Sequence, residues 1–275
     1  MSAQSFFTTG DGVRVAYRLD GDAALPVLVL SNSIGTTLHM WDGEVAALSR
    51  AYRALRYDTR GHGASGVPEG AYSLDRLGRD VIEMMDALDI RRAHFLGLSL
   101  GGIIGQWLGV HASERIDRLV LANTSDYLGP PAQWDARIAA TLQAPDATLQ
   151  APDMTETAQT FLGNWFPASM LQAGGPVIDA FRAMLLATDP KGLAGAFAAV
   201  RDMDLRRTNA LINRPTLVIA GRDDTVTAAS HGERIAATVP GAELRVLPTV
   251  HLSNVERPAE FLDAVLTFLA QGDRG

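Results

Sequence analysis

The pentad Gly97-Leu98-Ser99-Leu100-Gly101 constrains this chain more than any other stretch. It stands between an apolar run with strand character, Ala93-His94-Phe95-Leu96, and a run with helix character, Ile103 to Val110. Where a strand turns directly into a helix the two backbones approach closely, which glycine permits, and the helix start presents free N–H groups to any negative charge developing beside it. A serine centred in G-x-S-x-G in that setting is a nucleophile elbow, its hydroxyl raised above the sheet edge. The same five residues also suit an ordinary glycine-rich turn, so the remainder of the chain has to decide.

Upstream, Val13-Arg14-Val15-Ala16-Tyr17-Arg18-Leu19 largely alternates apolar and polar, the pattern of a half-buried antiparallel strand. Pro26-Val27-Leu28-Val29-Leu30 is continuously apolar, as a parallel strand covered on both faces must be, and it runs into the loop Ser31 to Thr37. A short helix is predicted around Trp41 to Leu48, then a strand over Tyr52 to Tyr57 and a structured turn from Asp58 to Ser65. In that turn Asp58 and Arg60 are expected to hold the loop. Ser73 is a candidate N-cap for a helix whose Leu74, Leu77, Val81, Met84 and Leu88 recur at helical spacing, with Met84 and Met85 as core filler. Strands follow over Leu119 to Asn123, Pro215 to Gly221 and Ala242 to Leu247, with helices over Ser230 to Thr238 and from Pro258 onward. That last helix places Phe261, Val265, Phe268 and Leu269 on one face. Strand-helix alternation of this kind predicts an α/β fold with a mostly parallel central sheet flanked by helices.

Between Ser125 and Arg207 strand patterns vanish, and seven prolines, Pro130, Pro131, Pro145, Pro152, Pro167, Pro176 and Pro190, punctuate Ala-rich helical segments such as Ile178 to Ala187. We expect a helical cap inserted after the strand ending near Asn123, over residues 125–208, with residues 1–124 and 209–275 forming the core. Such a cap would shape a pocket and exclude water.

Composition excludes several classes of function. With 24 basic against 31 acidic residues, a formal charge of −7 and no basic stripe, nucleic acid is not an expected partner. The absence of cysteine removes disulfides, thiolate metal sites and a cysteine nucleophile, and no metal or organic cofactor is expected. The N-terminal residues lack a basic-then-apolar leader and no apolar run is long enough to span a bilayer. The expectation is a cytoplasmic protein with no membrane partner; oligomeric state is left open.

Ser99, Asp224 and His251 each fall just past a predicted strand. A serine hydroxyl is a weak nucleophile near neutral pH. It needs a base within reach, and histidine is the side chain whose ordinary pKa suits that role. An acid then fixes the imidazole tautomer and stabilises the imidazolium. Serine, acid, histidine is the chain order of the α/β-hydrolases. His39, His94, His111 and His231 lie in a lead-in loop, a strand or on helices, where structural roles fit better. His62, which also follows a strand, precedes the nucleophile and suits a turn. Asp223 is the neighbouring alternative to Asp224, and Ser65 lacks the second glycine because position 67 is Val67. The oxyanion would be held by the backbone N–H of Leu100 and by a second N–H from the loop after the Leu28 strand, at Ile34 or Ser33.

With these residues assembled, the chain resembles the α/β-hydrolase superfamily and within it the 3-oxoadipate enol-lactonases. The resemblance is carried by Leu30 to Trp41, Arg56-Tyr57-Asp58-Thr59-Arg60-Gly61-His62-Gly63, Gly105-Gln106-Trp107-Leu108, Leu121-Ala122-Asn123-Thr124, Ala187-Thr188-Asp189-Pro190, Arg201 to Arg206 and His251 to Pro258. Asn32-Ser33 stands where most relatives carry His-Gly, as is typical of the enol-lactonase group, and in those relatives the next residue supplies the oxyanion amide, which places it at Ile34. Leu100 stands where the group more often has methionine, with the same backbone N–H. The stretch Thr141 to Thr160, through Pro145 and Pro152, is longer and more proline-interrupted than in the group.

The resemblance implies a serine hydrolase that opens a small lactone; because the net-negative chain would repel a substrate carboxylate, a local cation is expected near the pocket, and Ser33, Trp134 and Arg137 are candidate substrate contacts. Arg137 would offer a cation to the substrate carboxylate. The alternatives are a general carboxylesterase or arylesterase, with or without perhydrolase activity, on the same triad, and a ligand receptor built on a hydrolase fold.

Overall fold

The computed structural model describes residues 3–143 and 154–272. Its strands are β1 (Ser5–Thr8), β2 (Arg14–Asp20), β3 (Val27–Ser31), β4 (Arg53–Tyr57), β5 (Ala93–Leu98), β6 (Ile116–Ala122), β7 (Thr216–Gly221) and β8 (Glu243–Leu247). They form one eight-stranded sheet in the order β1-β2-β4-β3-β5-β6-β7-β8. β1 with β2 and β2 with β4 pair antiparallel, and every later pair is parallel. The continuously apolar runs are the parallel strands, as expected of strands covered on both faces. β1 is an addition to the predicted elements: a four-residue edge strand whose Phe7 is buried and whose Phe6 faces solvent.

The helices are α1 (Val45–Leu48), α2 (Leu74–Ala87), α3 (Leu100–His111), α4 (Pro131–Leu142), α5 (Thr155–Trp165), α6 (Ala168–Ala173), α7 (Pro176–Leu186), α8 (Pro190–Asp202), α9 (Ala229–Thr238), α10 (Ser253–Glu256) and α11 (Pro258–Leu269). Ser73 caps α2, its side chain accepting the Arg76 N–H at 3.1 Å. The helix predicted over Trp41 to Leu48 is instead a 3₁₀ turn, Leu38–Trp41, followed by α1. Gly43 disfavours helix between them, and the Asp42 carboxylate is drawn 2.5 Å from the buried Arg56 guanidinium.

Successive residues of a strand point to opposite faces, and the core divides accordingly. Val29, Phe95, Leu119 and Leu121 pack with Leu77, Val81 and Met84 of α2 and Ile104 and Leu108 of α3. Leu28, Leu30, Leu96, Leu98 and Val120 pack on the other face with Trp41, Leu48, Phe261 and Val265.

Between β6 and β7 the described elements are α4 to α8 and a 3₁₀ turn, Thr208–Leu211, with α4 packed on α8 and α5 on α7. Prolines open these helices rather than interrupt them: Pro131, Pro176 and Pro190 sit in the first turns of α4, α7 and α8, and Pro167 precedes α6. Their missing N–H is one the helix start leaves unused anyway. Pro145 and Pro152 lie outside the described residues. No helix among the described residues is long and apolar enough to cross a membrane.

Candidate active site

Ser99 sits at the turn from β5 into α3 with φ 58° and ψ −115°, a conformation that costs a non-glycine residue roughly 1–3 kcal/mol. The turn is held by Ser99 N–H to Ala122 O at 2.9 Å and by Thr124 Oγ1 to Ser99 O at 2.8 Å. A Cβ at Gly97 would stand 2.1 Å from Gly101 O, and one at Gly101 would stand 2.2 Å from Ser31 O. Both glycines are therefore required by close backbone approach on either side of the serine.

Asp224 and His251 arrive from the loops after β7 and β8, the same C-terminal sheet edge on which Ser99 stands. His251 Nδ1 lies 2.8 Å from Asp224 Oδ2, both residues buried. The other carboxylate oxygen accepts the N–H groups of Val226 and Thr227 at 2.8 and 2.9 Å, while Oδ2 also accepts Thr227 Oγ1 at 2.8 Å and Asn123 Nδ2 at 3.2 Å. Burial alone would raise the Asp224 pKa. The His251 charge and hydrogen bond and the Thr227 donors outweigh it and bring the carboxyl from 3.8 down to about 2. With Nδ1 committed to the acid, Nε2 of His251 is buried with no hydrogen-bond partner in the described residues, and His251 and Ser99 line one chamber.

The rival groups are placed elsewhere. His62 is buried, its Nδ1 is 3.2 Å from Arg60 O, and burial depresses its pKa to about 4. His39 pairs with Asp42, His111 Nδ1 meets Trp107 O, and His231 Nδ1 is 2.5 Å from Ser125 Oγ. His94 lies within β5 against Tyr52. Asp223 is exposed. Ser65 is used in the turn, donating to Asp58 O at 2.6 Å, while the Asp58 carboxylate accepts Leu38 N–H and Ala64 N–H at 2.6 and 2.9 Å. Arg60 is bridged between Asp11 and Asp80.

Ile34 and Leu100 both line the chamber, and neither backbone N–H has an acceptor among the described residues. Ser33 differs: it is absent from the chamber lining, and its buried N–H points to Met40 Sδ at 3.2 Å. The chamber, about 70 Å³, has an aromatic roof of Trp134 from α4, Phe161 and Trp165 from α5 and Phe197 from α8. Polar groups in its wall are Arg137, Thr160 and Asn164. The Arg137 guanidinium lies 5.0 Å from the Trp134 ring centroid. A larger cavity of about 380 Å³ lies behind Leu128 and is lined by none of Ser99, Asp224 and His251. Its Arg234 and Arg206 are neutralised by Asp126 and Asp204. Among the described residues no group of three His, Asp or Glu side chains could hold a metal ion.

Asn123 and Thr227 escaped sequence analysis. Asn123 follows β6 with φ 42° and bonds Asp224 across 101 positions in the chain. A polar residue at the end of a buried strand was the available signal. For Thr227 it was the Asp-x-x-Thr spacing, which lets a carboxylate cap its own turn.

A family model described as the alpha/beta hydrolase fold matches residues 26–258. Among curated proteins, 3-oxoadipate enol-lactonase 2 of Acinetobacter baylyi is 36% identical, the match covering 94% of this chain and 93% of that protein. The putative carbamate hydrolase RutD of Pseudomonas syringae is 31% identical, covering 90% of this chain and 95% of the relative. Among solved structures, a hydrolase from Pseudomonas aeruginosa superposes with a TM-score of 0.93 at 66% identity over 97% of this chain and 98% of its own. The enol-lactonase of Burkholderia xenovorans gives 0.91 at 36% identity, over 97% of this chain and all of its own.

Proposed function

This chain belongs to the α/β-hydrolase family, and from that premise we propose that it is a serine hydrolase that opens a small lactone, 3-oxoadipate enol-lactone foremost. The observation that carries the proposal is the convergence of a strained Ser99, the His251–Asp224 pair at 2.8 Å and the unengaged N–H groups of Ile34 and Leu100 on one chamber.

In this mechanism Ser99 Oγ attacks the ring carbonyl carbon as His251 Nε2 takes its proton, and Asp224 stabilises the imidazolium. The Ile34 and Leu100 N–H groups hold the negative oxygen. Collapse of the tetrahedral adduct breaks the ring C–O bond. The enol oxygen leaves, taking the proton from His251, and remains tethered through the acyl chain. Water, deprotonated by His251, then attacks the acyl-enzyme, Ser99 departs with that proton, and the ring-opened acid is released after the enol ketonises.

Residues 125–208 serve as the cap in this proposal and residues 1–124 and 209–275 as the catalytic core. Arg137 is assigned to the substrate carboxylate, stacked on Trp134 as a preset anion contact.

A second reading, a carboxylesterase or arylesterase on the same triad, is favoured by the largely apolar, aromatic chamber wall. Comparing kcat/KM on the enol-lactone, aryl acetates and a small carbamate separates these readings. Faster turnover of acetate or carbamate than of lactone overturns the substrate assignment, and full activity in Ser99→Ala overturns the mechanism.

A further inference from the structure

We propose that Asn32 is a positioning residue for the oxyanion site, its carboxamide fixing the spacing between the Ile34 and Leu100 N–H groups. The inference rests on the serine-hydrolase reading above.

Asn32 is the first residue beyond β3 and is 1% exposed. Each end of its carboxamide is engaged by an immobile partner. Oδ1 accepts the indole N–H of the fully buried Trp41 at 2.9 Å, and Nδ2 donates to Tyr57 O at the end of β4 at 2.7 Å. Tyr57 is itself fixed to the residue before Asn32, its hydroxyl 2.7 Å from Ser31 Oγ. The Asn32 backbone carbonyl then accepts the Gly101 N–H at 3.0 Å. One residue therefore bridges the two halves of the site. Two positions along the chain from Asn32 is the Ile34 amide, and the amide it binds follows Leu100 directly.

The rest of the loop is fastened in the same direction: Ser33 N–H to Met40 Sδ at 3.2 Å, and Thr36 Oγ1 to Ser33 O at 2.7 Å. Asn32 does not line the chamber, so its effect on a reacting carbonyl passes through the two amides it spaces.

The chemistry at this position is specific. One acceptor must face Trp41 and one donor must face Tyr57 O. A carboxylate offers acceptors only, and would set a buried charge against a carbonyl lone pair; a neutral imidazole offers one of each. Because the oxyanion exists only in the tetrahedral state, a loss of spacing weakens binding of that state and leaves ground-state binding nearly unchanged.

The test uses the full chain with 4-nitrophenyl acetate as substrate and a small arylboronic acid as the tetrahedral probe, alongside thermal unfolding. For Asn32→Asp the expected result is a fall in kcat of about 30- to 300-fold, a KM within about threefold, and boronate affinity reduced in proportion to kcat, with Asn32→His recovering at least about tenfold. A folded Asn32→Asp protein whose boronate affinity stays within about threefold of wild type would overturn the proposal, whatever its melting temperature.

If Asn32→Asp does not fold, Trp41→Phe keeps the buried ring and deletes the donor to Oδ1. A fall of about tenfold in both kcat and boronate affinity supports the proposal, and no change in either overturns it. A wild type that neither hydrolyses the ester nor binds the boronate overturns the serine-hydrolase reading and this inference together. A wild type that hydrolyses the ester but not the lactone overturns only the substrate assignment.

Discussion

Asn123 Nδ2 reaches Asp224 Oδ2 and Val250 O, both at 3.2 Å, and so joins the ends of β6 and β7 to the residue before His251. It adds a donor to an already ionised carboxylate and fixes the chain on the far side of the imidazole. Asn123→Ala is expected to lower kcat/KM about tenfold while stability falls by no more than about 1.5–3 kcal/mol, the scale of one hydrogen bond to a charged group. Steady-state kinetics with a urea unfolding curve would check it.

Gly101 admits no side chain. With a Cβ 2.2 Å from Ser31 O and 2.5 Å from Ser31 C, both backbone atoms, Gly101→Ala forces the elbow away from β3. A loss of about 3 kcal/mol or more is expected, read as a drop in denaturation midpoint together with near-complete loss of hydrolysis.

Arg137 acts on substrate charge in the proposed reaction. Arg137→Gln is expected to raise KM for a carboxylate-bearing lactone about tenfold or more and to leave a neutral aryl acetate within about twofold. Equal effects on both substrates would remove Arg137 from carboxylate recognition.

Glu44 is buried beside Asn254, with 3.4 Å between Oε2 and Nδ2, and burial, opposed by the Asn254 hydrogen bond, raises its pKa from 4.5 to about 7. A carboxyl whose folded pKa lies above its unfolded value favours the folded state while protonated. That stability is fully present below 4.5 and is lost as pH rises through about 7. The change amounts to about 3 kcal/mol. Glu44→Gln, which cannot ionise, is expected to flatten the melting temperature between pH 5 and pH 8, at about the wild-type value for the acid end and above it at the alkaline end. Melting curves across that interval test the sign as well as the size.

The inner parallel strands β3 and β7 were legible because burial on both faces leaves a continuous apolar run, as over Leu28 to Leu30 and Leu217 to Ile219. β1 was not, since four residues with one buried phenylalanine carry no period to detect. The 3₁₀ turn Leu38–Trp41 could not be read from the pattern that suggested one helix over Trp41 to Leu48, because what divides that stretch is Gly43 together with the pull of the buried Arg56 on Asp42. Ser99, Asp224 and His251 could be singled out because each residue type is chemically distinctive and follows a strand. Asn123 and Thr227 could not, because their significance lies in partners brought together by the sheet and by loop closure; Asn32 stands out in the sequence only as a departure from His-Gly, while its Trp41 and Tyr57 partners do not. That the Ser33 N–H is turned to the Met40 thioether is a contact that sequence spacing does not point to.

The chamber has a floor of Ile34, Ser99, Leu100 and His251 from the sheet edge and a roof of Trp134, Phe161, Trp165 and Phe197 from α4, α5 and α8. In the proposed reaction the bond-breaking groups and the shape-giving groups thus occupy separate stretches of the gene, so codon changes in one can accumulate while the other is preserved. On that proposal a lineage carrying this arrangement can trade one ester for another by altering roof aromatics alone, with the hydroxyl and imidazole inherited intact.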